Sequence, residues 1–245
     1  VMPGEEGVVP GKVEHIDGVE YIRLDVRKPI EFEYEPSAKD VIFNLAAVHR
    51  TPGHPHYEYF ETNIRGAENI TRFADKYGIK RILFTSSIAP YGAAEESKKE
   101  DTLPTPNTPY GISKLVAETI HIGWQEKEAD RELTIVRPGV VYGKGEHGNF
   151  TRLYWGQRKR YFFYPGRKDT VKACMYVKEL VRFFKYRMID NDFPGSDIFN
   201  CTFEPAYTIE QICMTMQKAT NMRRHIPLVP AWILMSAATI LGPIG

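Results

Sequence analysis

The sequence predicts an α/β protein, built as a doubly wound parallel sheet with a smaller lobe towards its C-terminal end. Two apolar runs carry this reading. Residues 40–47 (DVIFNLAA) and 80–87 (KRILFTSS) offer no polar face, as strands covered on both sides require. A helical pattern over 57–77 separates them, so strand, helix and strand alternate. The length and composition agree. A chain of 245 residues, 42% hydrophobic and 26% charged, can bury a large core and is neither disordered nor fibrous.

The elements follow in order. Residues 1–18 are rich in Gly, Pro and Glu and read as loop, and 19–26 (VEYIRLDV) as a short strand. A polar linker covers 93–108. Thr108 can then cap a helix with Pro109 at its first position, running to about Glu126. Residues 131–138 (RELTIVRP) form the next strand. A loop with Gly143, Gly145 and Gly148 leads to a helix over 149–157, and 175–188 looks helical. A strand is expected over 197–201 and a helix over 208–220 capped by Thr208. Residues 1–145 read as the sheet domain and 146–245 mainly as the smaller lobe, with segments returning to the sheet.

Charge and cysteine usage narrow the function. Lys plus Arg number 32 against 31 Asp plus Glu, a net charge of +1, which argues against a dedicated nucleic-acid binder. Cys174, Cys201 and Cys213 are too far apart for a metal motif and too few for a disulfide framework. A reducing, cytoplasmic setting fits. Residues 226–245 carry no charge, yet Pro227, Pro230 and Pro243 leave an unbroken helix only over 231–241. That segment reads as a buried or docking helix, with membrane contact the lesser alternative. His49, His54 and His56 cluster without further ligands at metal spacing, so no metal is expected.

The sharpest chemical feature is Tyr110-Gly-Ile-Ser-Lys114. Residues i and i+4 share a helix face, and an ammonium beside a phenol lowers the phenol pKa. Such a tyrosine can exchange a proton with a substrate hydroxyl or carbonyl. Thr85-Ser86-Ser87 ends a strand at the edge where doubly wound sheets bind ligands, and a serine there can donate to a developing oxyanion.

With these motifs in order, the chain resembles the extended short-chain dehydrogenase/reductase family, in its nucleotide-sugar epimerase/dehydratase branch. The resemblance implies a Rossmann-like fold and rests on FTSSIAPYG (84–92), YGISK (110–114), YFETNIRGAEN (59–69) and VRPGVVYGKG (136–145). It implies Ser87, Tyr110 and Lys114 as catalytic residues, with Tyr110 as acid/base and Lys114 also on the nicotinamide ribose. Asp25 and Val26 would meet the adenine side of the cofactor. Leu45, Ala46 and Ala47 would pass beneath it, with Ser86 and Pro138 nearby, while Asn63 supports the region. The implied cofactor is NAD, with NADP as the alternative. Asn149, Arg152 and Lys172, together with Ser87, are the residues expected on the substrate. Lys172 replaces the family's usual arginine, with Glu179 in place of its acid.

No carboxylate follows Ser86-Ser87, which by the same resemblance argues against a 4,6-dehydratase, and Ala89 stands where fucose-synthase-like reductase/epimerases carry a cysteine. The implied reaction is epimerisation of a nucleotide sugar through a transient keto-sugar. The alternatives are reduction of a keto-sugar or another carbonyl, or a non-catalytic cofactor-binding scaffold. A homodimer through the helices near 58–76 and 109–126 is also implied. The first strand, glycine-rich turn and helix that the family places before Asp25 have no recognisable counterpart in residues 1–18, so the chain reads as a cropped view of a longer enzyme.

Overall fold

The computed structural model describes residues 16–49, 53–191 and 193–241. In chain order the elements are β1 (Val41–Asn44), α1 (His56–Tyr77), β2 (Arg81–Thr85), α2 (Pro109–Gln125), β3 (Glu132–Pro138), β4 (Val140–Tyr142), α3 (Asn149–Arg158), β5 (Tyr164–Pro165), β6 (Val171–Lys172), β7 (Cys174–Tyr176), α4 (Val177–Lys185), β8 (Ser196–Cys201), β9 (Tyr207–Thr208), α5 (Ile209–Ala219), β10 (Leu228–Val229) and α6 (Ala231–Leu241). They fall into two compact units. Unit 1 takes the described residues up to Arg137 with Phe184–Asn200, and unit 2 takes Pro138–Phe183 with those from Cys201 onward.

Unit 1 holds the sheet, ordered β1-β2-β3-β8, with β1, β2 and β3 parallel. Ile42 aligns with Ile82, and Ile82 with Leu133, so branched side chains meet across the ladder. α1 and α2 pack together, and Ala67, Ala74, Ala117 and Trp124 join Ile82, Phe84, Leu133 and Ile135 in one core. Each large apolar side chain buried there contributes about 1.5–3 kcal/mol. The small alanines let helices and sheet approach closely.

The expected strand over 19–26 does not form. Val19, Tyr21, Ile22 and Leu24 are exposed, and a strand needs a neighbour to complete its ladder. The following stretch instead lies along α1. Asn69 donates to the Val26 carbonyl (2.8 Å), Tyr77 donates to that of Phe32 (2.6 Å), and the Phe32 ring stacks on Phe73.

Unit 2 carries three two-stranded ribbons: β4 with β7, β5 with β10, and β6 with β9. The helix expected over 175–188 begins later, at Val177. Met175 and Tyr176 are extended because they pair with Val141 and Tyr142, a partnership invisible to local periodicity. The helix ends in a π-helical turn over Tyr186–Asp190. Thr208 caps α5 through a reciprocal box with Gln211, as expected. α6 spans the expected residues, and Trp232, Ile233 and Met235 are exposed, so of the two forms expected, buried or docking, it is not the buried one. Among the described residues no helix is long and apolar enough to cross a membrane.

Candidate active site

The site is built where the end of β2 meets the start of α2. The Thr108 hydroxyl accepts from the Gly111 amide at 3.1 Å, which fixes the first turn of α2. A Cβ on Gly111 would lie 2.6 Å from the Ala89 carbonyl oxygen, so the loop leaving β2 rests directly on that turn. This close approach brings Ser87 beside Tyr110, near enough for the serine hydroxyl to favour the phenolate. The Ser87 hydroxyl oxygen already accepts the Ala89 amide at 3.1 Å, leaving its proton for the phenol oxygen.

One turn further along α2, Lys114 is buried. Its ammonium donates to the Thr85 carbonyl at 2.6 Å and lies 4.3 Å from the centre of the Phe84 ring. Burial lowers its pKa to about 7, against the opposing pull of Glu118. Tyr110 behaves differently from the sequence expectation. Its pKa is raised, mainly by burial, and the Ser87 hydroxyl only partly offsets this. The lysine therefore shares its helix face without making the phenol more acidic here, because its ammonium is directed at Thr85.

Beneath this pair runs a buried polar chain that sequence reasoning missed. Arg137 grips Glu118 with two hydrogen bonds, at 3.0 and 2.6 Å. Ser86 also donates to Glu118, which turns its side chain away from Ser87. Arg137 donates to the Tyr91 hydroxyl at 2.7 Å, and Tyr91 to Asn200 at 2.9 Å. The available signal was the spacing: Tyr110, Lys114 and Glu118 are each four residues apart on one helix. His121 continues the line. It stacks on Phe84 with ring centres 4.2 Å apart and meets the Asn44 amide at 3.2 Å.

The remaining expected residues are distributed as follows. Asn63 is buried and exchanges bonds with the Val48 backbone (2.9 and 3.2 Å). It also donates to Ser113, which reaches the Tyr110 carbonyl, so it ties the segment after β1 to the tyrosine helix. Leu45 is exposed at the end of β1, while Ala46 and Ala47 are half-buried beside it. Asp25 is clamped by Arg27 (2.7–3.0 Å), whose guanidinium holds the carboxyl below its usual range. The Val26 carbonyl is occupied by Asn69. Pro138, which opens unit 2, is buried.

In unit 2, Asn149 and Arg152 are exposed and bonded to each other at 2.6 Å. The start of α3 is already occupied by a carboxylate: Glu146 accepts from the Thr151 amide (2.9 Å) and hydroxyl (2.7 Å). Lys172 is exposed on β6. None of the three lines the cavity of about 590 Å³ in this unit, whose walls include Tyr142, Phe150, Tyr154, Phe203, Tyr207 and Met216. Tyr142 and Phe150 stack within it, 4.8 Å between centres. Glu146, Thr151, Gln211 and Thr215 add polar groups to the aromatic walls.

Comparison with known proteins places the chain. It is 30% identical over 207 residues to the N-acetyl-alpha-D-glucosaminyl-diphospho-ditrans,octacis-undecaprenol 4-epimerase of Escherichia coli O157:H7. That match covers 83% of this chain and 62% of the relative. To the UDP-glucose 4-epimerase of Vibrio cholerae it is 30% identical over 158 residues, covering 60% and 48%. The chain thus spans about half to three-fifths of the length of these relatives. Its fold is like that of the Thermus thermophilus UDP-glucose 4-epimerase solved with NAD (TM-score 0.70, 19% identity, 94% of this chain and 83% of that one). It is also like RMD from Pseudomonas aeruginosa solved with NADPH (TM-score 0.72, 20% identity, 86% and 76%). The model of the NAD dependent epimerase/dehydratase family matches residues 6–201, and the chain belongs to that family.

Proposed function

We propose that this chain carries the catalytic centre of an NAD-dependent enzyme that epimerises a nucleotide sugar through a transient keto-sugar. The observation that carries the reading is the close seating of the loop bearing Ser87 on the first turn of α2, which places the serine beside Tyr110 and one turn from a buried Lys114. The cytoplasmic setting expected from the cysteines belongs to the same proposal.

The residues fit the cofactor. Among the described residues the Lys114 ammonium has one hydrogen-bond acceptor, the Thr85 carbonyl, and the nearby Thr85 hydroxyl oxygen is buried with no partner. Donors left over at the end of β2, beside the small Ala46 and Ala47, suit ribose hydroxyls and close approach by a dinucleotide. Lys114, Asp25, Ala46 and Ala47 are the residues proposed to hold it, with NADP as the alternative. When bound, the cofactor supplies a hydride acceptor and donor.

The chain's own residues do the rest. Ser87 orients the sugar oxygen. Tyr110 takes the hydroxyl proton as the carbonyl forms and returns it as the hydroxyl re-forms. Lys114 adds positive potential one turn from the phenol, its buried ammonium held in place by the Thr85 carbonyl.

A second reading, reduction of a keto-sugar, draws on the raised pKa of Tyr110, which keeps the phenol protonated and ready to donate. The experiment is mass spectrometry of what the purified protein retains, paired with NMR of UDP-glucose incubated with it. Retained NAD and interconversion of UDP-glucose with its C4 epimer, without net redox turnover, supports the epimerase. Consumption of exchangeable NADPH with a keto-sugar supports the reductase. Neither cofactor bound and no turnover overturns both.

A further inference from the structure

Charge is distributed unevenly along this chain. The sequence of unit 2 holds thirteen Lys and Arg against five Asp and Glu, a formal +8, within a chain of net charge +1. Much of this excess sits in two clusters, Arg158-Lys159-Arg160 and Arg223-Arg224. The parallel pairing of β5 with β10 brings them together. Tyr164 donates to the Pro227 carbonyl at 2.9 Å, and Gly166 to that of Val229 at 2.8 Å. Each cluster precedes its own strand by the same few residues, so both lie at one end of the ribbon. No carboxylate pairs with Arg158, Lys159, Arg160 or Arg223 among the described residues.

Large apolar side chains accompany these cations. Trp155, under the Arg158 and Lys159 side chains (5.6 and 5.7 Å from the ring centre), is exposed, as are Tyr161 and Phe163. β10 then leads into α6, where Trp232 is 69% and Met235 70% exposed, with Ile233 beside them. Ala231 at its start packs 3.3 Å from where a Cβ on Gly166 would lie, so the helix is anchored to this same ribbon. No charged residue occurs from Ile226 through α6.

We propose that unit 2 docks on an anionic lipid surface, with α6 lying in the interface and the two basic clusters on the headgroups. The eleven described residues of α6 reach about 16 Å, half the hydrocarbon thickness, a length suited to lying in the interface. Exposed tryptophan and tyrosine beside Lys and Arg match the interfacial pattern, in which apolar burial and attraction to anionic headgroups act together. A nucleic acid would engage the cations but give Ile233 and Met235 nothing to bury against. A second copy would bring two units of +8 together. The proposal does not depend on the reaction assigned above.

The test is flotation of the full protein with phosphatidylcholine vesicles containing phosphatidylglycerol, against vesicles of phosphatidylcholine alone. The expected result is partition onto the anionic vesicles at least about tenfold stronger than onto neutral ones, weakening as salt is raised. A W232E/M235E variant and, separately, an R158E/K159E variant that leaves α6 intact should each reduce partition about tenfold, with circular dichroism unchanged. No partition by the folded protein overturns the proposal, as does partition by both variants equal to that of the wild type. A doubling of mass in light scattering that W232E/M235E abolishes, without vesicle binding, assigns the helix to a second copy. Salt-sensitive binding to a DNA or RNA duplex without vesicle binding assigns the cations to nucleic acid. Either result overturns lipid docking.

Discussion

Arg137 and Glu118 form a buried, two-pronged ion pair one helical turn beyond Lys114, 3% and 1% exposed. The pair ties β3 to α2 and, through Ser86 and Tyr91, to both ends of the loop that carries Ser87. Breaking a buried pair strands the surviving charge, so Glu118→Gln should lose about 3 kcal/mol or more in urea unfolding. Replacing both partners with Met should cost less than this single change. A fully additive loss would contradict the arrangement.

Gly111→Ala tests how Ser87 is brought to Tyr110. Its new Cβ would meet the Ala89 carbonyl at 2.6 Å and push the loop away from α2. Activity should fall at least about tenfold, and stability by about 1–3 kcal/mol because the clash is with backbone, a loss of rate larger than that loss of folded protein explains. Wild-type turnover in this variant would show that the loop contact does not position the serine.

Lys114 has a pKa in the folded protein of about 7, below the unfolded value of 10.5. Between those values the unfolded chain binds the extra proton, so this group makes stability rise from pH 7 to 10.5. Below pH 7 both states are protonated and that gain is absent. Lys114→Met should flatten the rise in a pH series of chemical unfolding. It should also lower activity at least about a hundredfold, if the amine holds the cofactor ribose.

His121 is buried and neutral, with its pKa lowered to about 4 chiefly by burial. The unfolded imidazole titrates near 6.5, so the stability it contributes is complete above that pH and is lost as pH falls from 6.5 to 4. The full loss amounts to about 3 kcal/mol. His121→Gln should be less acid-sensitive in that window. An unchanged acid limb would mean the histidine is not buried neutral.

Much of the sheet unit is legible in the sequence because its signals are local. The apolar runs at 40–47 and 80–87 and Thr108 with Pro109 each announce an element that the structure contains, as the capping Thr208 does in unit 2. What the sequence misses depends on partners far away. Residues 19–26 have strand-like composition but no neighbouring strand among the described residues, and Met175 is extended only because Val141 pairs with it. The same holds at the site. Tyr110, Lys114 and Ser87 stand out by spacing and family likeness, whereas Arg137 looks like one polar residue in an apolar strand until Glu118 is placed beside it. The start of α3 looks open to a diphosphate until Glu146 folds back onto it.

The most direct measurement of the central claim is turnover of UDP-glucose by Tyr110→Phe, in the full protein with NAD supplied, followed by NMR of the sugar. The phenol is proposed to carry the proton, so the variant should bind cofactor as the wild type does, keep its unfolding midpoint, and lose about 10²–10⁴ in rate. The wild-type rate should rise with pH, since a raised phenol pKa leaves little phenolate at neutrality. Turnover by Tyr110→Phe at the wild-type rate, with the same pH dependence, would contradict the account.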